Sequence, residues 1–331
     1  MKVLFIGGTG RISLAVSRQA IIKGVDLYLL NRGSRNQEVI GCHYLTADIE
    51  HPEGVRAALR GLEFDVVVDW IAYTPDEIER DIALFRGRTN QFIHISSASV
   101  YQKPPLHYLV TELTPRHNPY AEYSQNKIAC EDRLLRAYRE EAFPVTIVRP
   151  SHTYDRHFPF ALGGSAGYTV ADRMKKAQPV IVHGDGSSLW VVTHAEDFGR
   201  GLLGLMGNEK AVGEAFHITS DEVLTWDQIY QTIGQALGVE PNIVHIASDF
   251  IADVEPSLAG SLLGDKTWSV VFDNSKIKKF VPGFAAIIPF REGIRRTVEW
   301  FEAEDGRRNV DKGLNDTMNR ILAAYACLTP L

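Results

Sequence analysis

Residues 1–35 constrain what this chain can fold into more than any other stretch. Lys2-Val3-Leu4-Phe5-Ile6 is a short apolar run that breaks at once into Gly7-Gly8-Thr9-Gly10, after which Ile12, Ala15, Val16 and Ala20 recur at helical spacing. Gly24 closes the helix, and residues 25–30 form a second apolar run that ends in Asn31-Arg32-Gly33-Ser34-Arg35. The unit is strand, helix, strand, with its glycines at the first strand-to-helix turn. Such a turn suits phosphate, because glycine lets the backbone come close to a pyrophosphate and the free N–H groups and positive dipole end of the new helix favour an anion. Where a third glycine would allow close helix packing the chain has Ser13, which is small enough to fit.

Strand and helix continue to alternate. Residues 42–47, 64–70, 92–95 and 144–148 read as strands, and 52–59, 76–85 and 121–138 as helices. The nearly unbroken apolar run at 64–70 has the composition of a strand buried on both faces. The pattern predicts an α/β fold, a doubly wound parallel sheet with a smaller mixed C-terminal substrate domain. Residues 1–155 with 191–220 form the first unit in this reading, and 156–190 with 221–331 the second. Helices are expected at 196–206, 226–237, 291–304 and 316–325. Doubly wound sheets bind ligands beyond the carboxyl ends of their strands, which would gather Gly7, Asn31, Asp48, Ile71 and Ser97.

Composition removes several classes of function. With 331 residues, 45% of them hydrophobic, the chain can bury one large core or two modest ones. No apolar run approaches the roughly 18 residues of a membrane span, and the N-terminus does not read as a signal peptide, so a cytoplasmic protein is expected. Cys42, Cys130 and Cys327 are far apart in sequence, which fits reduced thiols and no metal. A net charge of −6 supplies no basic footprint for nucleic acid.

Tyr123-Ser124-Gln125-Asn126-Lys127 lies early in the helix expected at 121–138, so Tyr123 and Lys127 share a face one turn apart. A phenol titrates near ~10, and lowering that by ~3 units takes ~4 kcal/mol. One ammonium at ~4 Å and an effective dielectric of ~20 contributes about that much. Tyr123 would then exchange a proton with a substrate hydroxyl while a hydride moves to an oxidised nicotinamide. With 12 tyrosines and 35 basic residues, chance supplies about one such pair, so placement has to carry the reading. The pair follows a strand that ends in Ser96-Ser97-Ala98-Ser99-Val100-Tyr101, whose hydroxyls can reach the same substrate oxygen.

Gly7-Gly8-Thr9-Gly10, Ser97-Ala98-Ser99-Val100-Tyr101, Tyr123-x-x-x-Lys127, Arg149-Pro150 and Gly184-Asp185-Gly186-Ser187 occur in the order and spacing of the extended short-chain dehydrogenase/reductases. The chain resembles their NAD(P)-dependent sugar epimerase/dehydratase branch most. Gly213-Glu214-Ala215-Phe216-His217-Ile218 and Asp273-Asn274-Ser275-Lys276 extend the likeness over most of the sequence. The resemblance implies a Rossmann fold and a nicotinamide cofactor held by Gly7, Gly8, Thr9, Gly10, Arg11 and Ile12. It implies that Asp48 and Ile49 contact the adenine, that Ile71, Ala72 and Tyr73 line the far side, and that Lys127 also holds the nicotinamide ribose. Pro150 and His152 complete the cofactor site. Ser97, Tyr123 and Lys127 would be catalytic, with Ser99, His152 and Trp190 joining Ser97 and Tyr123 around a sugar-like small molecule. Members often form homodimers through the helix that bears the tyrosine.

Several positions depart from the branch. The Asp-Glu pair that removes water in the 4,6-dehydratases is replaced by Ala98-Ser99, which disfavours dehydration. Nucleotide-sugar enzymes commonly hold the diphosphate with an asparagine shortly after Arg-Pro and an arginine shortly after Gly-Asp-Gly, and these places hold His152 and Trp190. Trp190 offers a flat apolar face for a sugar ring instead, while Arg156 or Arg173 could restore the clamp from elsewhere. Asn31, Arg32 and Arg35 stand where NAD-selective members place an acid on the ribose, so NADP is expected in preference to NAD. Atypical members, some described as RNA-binding or isoflavone-reductase-like, share the Asn-Arg-Gly. A cofactor-sensing or RNA-binding protein on the same fold is the rival from another class, and the intact Ser97, Tyr123 and Lys127 with a negative net charge speak against it. Within enzymes the reading is an epimerase, with a reductase or dehydrogenase as the alternative. His94, within an apolar strand, reads as a satisfied core histidine, and Trp226 and Trp300 read as packing.

Overall fold

Strand β1 (Lys2–Ile6) takes an interior place in a seven-stranded sheet because its apolar residues meet apolar neighbours on both sides. Val3 lies opposite Leu27 of β2 (Asp26–Asn31) and Val66 of β4 (Phe64–Asp69), and Phe5 lies opposite Leu29 and Val68. Strand β3 (His43–Thr46) adds outside β2, while β5 (Thr89–Ile95), a strand at Val145–Pro150 and one at Ala215–Ile218 continue beyond β4. All six pairings are parallel. These relations come from a computed structural model that describes residues 1–33, 39–162 and 167–328. Among the described residues no helix is long and apolar enough to cross a membrane.

Alternation sends β1 side chains into two cores. Val3 and Phe5 pack with Leu14 and Val16 of helix α1 (Ser13–Ile22) and with Phe198 and Leu202 of the helix Ala195–Leu205. Leu4 and Ile6 pack on the other face with Val55 of α2 (Pro52–Ala58), Ile78 and Ile82 of α3 (Pro75–Phe85), and Cys130 and Leu134 of α4 (Glu122–Glu141). Burying one such aliphatic side chain contributes about 1.5–3 kcal/mol, so this layering is what fixes the register of the parallel strands. The chain leaves β1 toward β2 and β3 and then returns to the opposite side as β4. That reversal opens a crevice at the carboxyl ends of the strands.

A third core holds the smaller region. Trp226, Ile229 and Ile233 of the helix Trp226–Leu237 pack with Ile294 and Val298 of Phe290–Glu302 and with Met318 and Ile321 of Lys312–Ala326. Apolar spacing predicts all three helices to within a few residues. A strand near 179–183 is legible in the sequence and lies at Val180–His183, but its parallel pairing with Ile243–Ile246, and the pair His152–Tyr154 with Val192–His194, are not. Nor does apolar spacing predict Leu109–Val110 with Val271–Phe272, or the π-helical turn Leu262–Lys266.

Candidate active site

The glycine turn is built by steric necessity. Gly7 has φ +100°, and a Cβ there would sit 2.7 Å from Cγ2 of Ile71, while one on Gly8 would sit 2.4 Å from Cδ2 of Leu29. Ser17 donates to the Gly8 carbonyl at 2.7 Å, and Ser13 Oγ accepts from the Gly10 N–H at 2.8 Å. These bonds draw the turn down onto α1, and Ser13, 3% exposed, fills the place of the missing third glycine.

From this turn a cavity of about 1040 Å³ follows the sheet edge. Gly7, Thr9, Gly10, Arg11 and Ile12 form one wall, and Asn31 and Arg32 follow at the end of β2. Asp48 and Ile49 line it after β3, Ile71 and Tyr73 after β4, and Tyr123, Lys127 and Pro150 close the far end. Tyr73 is pinned at the head of α3, where its N–H donates to Glu77 Oε2 at 2.6 Å and Thr74 N–H to the same oxygen at 2.8 Å. Gly8 and Ala72 do not line the cavity. The Gly8 carbonyl is taken by Ser17, and Ala72 is fully buried with its carbonyl accepting from Lys127. Arg35 lies outside the described residues.

Tyr123 and Lys127 stand one turn apart on α4, but the ammonium is not hydrogen-bonded to the phenol. Lys127 Nζ donates to the carbonyls of Ala72 at 2.6 Å and Ile95 at 2.8 Å, and it lies 4.6 Å from the centre of the Tyr73 ring. Tyr123 keeps 47% of its surface open, yet desolvation by the protein around it pushes its phenol up to about 12, with the Ser97 hydroxyl pulling the other way. The expected activation of Tyr123 by Lys127 is therefore not what the geometry of these two side chains provides. Ser97 Oγ lies 2.9 Å from Ser99 Oγ, which accepts from Ser124 Oγ at 2.9 Å, so three hydroxyls run beside Tyr123.

Two substrate candidates lie elsewhere. Trp190 is 5% exposed, its ring centre 5.3 Å from that of Trp226, and it offers no open face. His152 sits on the strand His152–Tyr154 with its ring 6.3 Å from Trp226, and it does not line the cavity. Burial, then the charges of Lys266 and His157, hold its pKa well below the ordinary value, so it cannot serve as a cation. Arg173 is also spent elsewhere: it donates to Asn315 at 2.5 Å, Asn319 at 2.9 Å and the Pro179 carbonyl at 2.9 Å. Arg156 lies over the Trp300 ring, 5.4 Å from its centre.

Comparison with known proteins decides the family. The model of the NAD dependent epimerase/dehydratase family matches residues 3–219, the sheet and the whole cavity wall. The chain belongs to that family. Among relatives of this epimerase/dehydratase-family enzyme, 2'-dehydrokanamycin reductase of Streptomyces kanamyceticus is 23% identical, over 86% of this chain and 80% of its own. A chloroplast stem-loop binding protein of 41 kDa from Arabidopsis thaliana is 26% identical, over 74% and 65%. UDP-glucose 4-epimerase of Thermotoga maritima has the same fold, with a TM-score of 0.72 at 20% identity over 92% of this chain and 99% of its own.

The cavity fits the family's dinucleotide. Gly7 and Gly8 leave no room for a Cβ, and the turn opens at the head of α1 where a pyrophosphate would lie. The volume stands at the upper end of the roughly 300–1,000 Å³ that small-molecule sites occupy, as an extended two-part ligand requires. The family enzyme also carries a buried network that the motifs do not reveal. Ser96, on the cavity wall, donates to Glu131 at 2.5 Å, and Glu131 accepts from Arg149 Nε at 2.9 Å and Nη2 at 2.6 Å. Arg149 Nη1 donates to the Tyr101 hydroxyl at 3.1 Å, which lies 3.0 Å from His217 Nδ1, and His217 Nε2 lies 2.8 Å from the Asp273 carbonyl. Arg149, Tyr101, His217 and Asp273 belong to motifs quoted above, but sequence order cannot show that they join. His94 lies in the core as expected but is not satisfied there, since among the described residues neither ring nitrogen has a hydrogen-bond partner.

Proposed function

We propose that this family member exchanges hydride between NADP and a secondary alcohol or carbonyl of a sugar-like substrate, and does so as an epimerase. The observation that carries the reading is the single cavity wall running from the Gly7 turn, past Arg32, to Tyr123 and Lys127. Bound there, the cofactor supplies hydride acceptance and return. Arg11 and Arg32 would face the 2'-phosphate, and no acid immediately follows β2 to repel it. Tyr123 Oη would take or return the proton of the substrate hydroxyl, with Ser97 Oγ holding the same oxygen. A phenol raised to about 12 is protonated at neutral pH and scarcely populates the phenolate that would act as base, so a cation close to it is needed for the oxidising direction.

The substrate in this reading carries no nucleotide diphosphate. His152 and Trp190 stand at the clamp positions, one neutral and the other packed against Trp226. Arg173 is committed to tying the helix Thr169–Lys175 to Lys312–Ala326. Saturation-transfer NMR with UDP, GDP and dTDP at saturating NADP is expected to give no signal from the second region, and competitive binding there would return the protein to the nucleotide-sugar epimerases. A second reading, a reductase, draws on the 2'-dehydrokanamycin reductase relative. Native mass spectrometry separates the two: an epimerase returns the hydride it takes and is expected to keep one dinucleotide through purification, whereas a reductase releases it.

A further inference from the structure

We propose that Asp69 is a positioning residue that holds Lys127 as a buried ammonium, by fixing the peptide that binds it and by serving as its countercharge. The proposal concerns how Lys127 is held, and only its catalytic consequence rests on the function proposed above.

Lys127 is 1% exposed, and its hydrogen bonds go to two neutral carbonyls. Among the described residues no carboxylate reaches its ammonium within ion-pair distance. An ammonium taken out of water keeps its charge only where something negative compensates. Asp69 closes β4 and is fully buried. Its Oδ1 accepts the Ile71 N–H at 2.9 Å, and both of its oxygens lie 3.2 Å from the Ala72 N–H. The carbonyl of that same Ala72 binds Lys127 Nζ. One carboxylate thus grips one end of a residue whose other end grips the ammonium.

His94 completes the arrangement from β5. It is the register partner of Asp69, its Nδ1 lies 3.7 Å from Asp69 Oδ2, and the carbonyl of the next residue, Ile95, is the second acceptor of Lys127. Burial and then the Lys127 charge push His94 below its ordinary value, so it stays neutral. Burial alone would raise Asp69, but the Ile71 N–H and the charge of Lys127 are among the groups that hold it low. Burial lowers Lys127, and among the charges that oppose this Asp69 comes first, ahead of Cys130 and Glu131 on α4 and Glu77 on α3. Asp81 is another buried carboxyl nearby. Arg80 donates to it at 3.0 Å, yet burial and then the Asp69 charge raise it well above the usual range, which leaves the negative charge on Asp69.

The test reads Lys127 without substrate or cofactor. Trace labelling with isotopic acetic anhydride from neutral to alkaline pH, followed by peptide mass spectrometry, gives the protonation midpoint of the Lys127 amine. In Asp69→Asn this midpoint is expected to fall by at least about one pH unit, a roughly tenfold rise in free amine at a given pH, with circular dichroism unchanged. Asp81→Asn is expected to move it much less. An unchanged midpoint in folded Asp69→Asn, or an equal shift in Asp81→Asn, would overturn the proposal. Should Asp69→Asn not fold, Lys127→Met gives the reciprocal reading, because coupling between two sites is mutual. Infrared titration should then show the Asp69 carboxyl protonating at higher pH than in the wild type, and no such rise would equally refute it. Failure to bind dinucleotide would count against the proposed function and leave these readouts intact.

Discussion

Tyr123 and Lys103 carry opposite electrostatic problems. Tyr123 is half exposed, and desolvation pushes its phenol up to about 12, so in the function proposed above it would act as a positioned proton rather than as a standing base. Tyr123→Phe removes that proton and little else. On any substrate for which turnover is found, kcat is expected to fall by about 10²-fold or more, the scale of a lost general acid–base group, with dinucleotide affinity within a few-fold of wild type by calorimetry. Lys103 is 3% exposed and has no ion pair or hydrogen bond to its ammonium among the described residues. Burial, with Lys266 adding to it and Asp265 opposing it, lowers its pKa. A base whose folded pKa lies below its unfolded one binds more protons when unfolded, so it destabilises the fold at neutral pH and does so less as pH rises. Lys103→Met is expected to stabilise by about 1 kcal/mol or more in urea unfolding at neutral pH, and the advantage should shrink toward the ordinary lysine range.

At the scale of elements, the sheet and its glycine turn are legible in the sequence because apolar runs of five or six residues separated by helical spacing leave few other folds. The same logic fails for strands of two or three residues. Leu109–Val110 and Val271–Phe272 are too short to show a period, and they pair across a long stretch of chain. Motif spacing locates His152 and Trp190 but cannot say which way their side chains turn, and both turn toward Trp226. The Asp69–His94 pair is hidden for a related reason: it exists only through the register of β4 on β5. The glycine turn itself makes a sharp demand. Gly7→Ala places a Cβ against Ile71 at a left-handed backbone, and a loss of about 1–3 kcal/mol in thermal unfolding is expected, with weakened dinucleotide binding beside it.

Across the whole molecule, the Ser96–Glu131–Arg149–Tyr101–His217 network connects the cavity wall to Asp273, so the sheet and the smaller region are joined by buried polar atoms as well as by packing. Burial would raise the Glu131 carboxyl, but Arg149, Ser96 and Arg116 hold it below its ordinary value. Its contribution is complete above the ordinary carboxylate range and is lost as pH falls through the lowered value. Glu131→Gln leaves Arg149 buried without its partner, and a loss of about 3–5 kcal/mol in urea unfolding at neutral pH is expected, narrowing in acid.

Whether the cavity from Gly7 to Lys127 binds a nicotinamide dinucleotide and selects NADP is tested most directly by titration calorimetry. The wild-type protein, freed of any bound nucleotide, is titrated with NADP and with NAD. NADP is expected to bind at one site per chain and more tightly than NAD. Tighter binding of NAD would contradict the selection assigned to Arg32, and binding of neither would contradict the dinucleotide site itself.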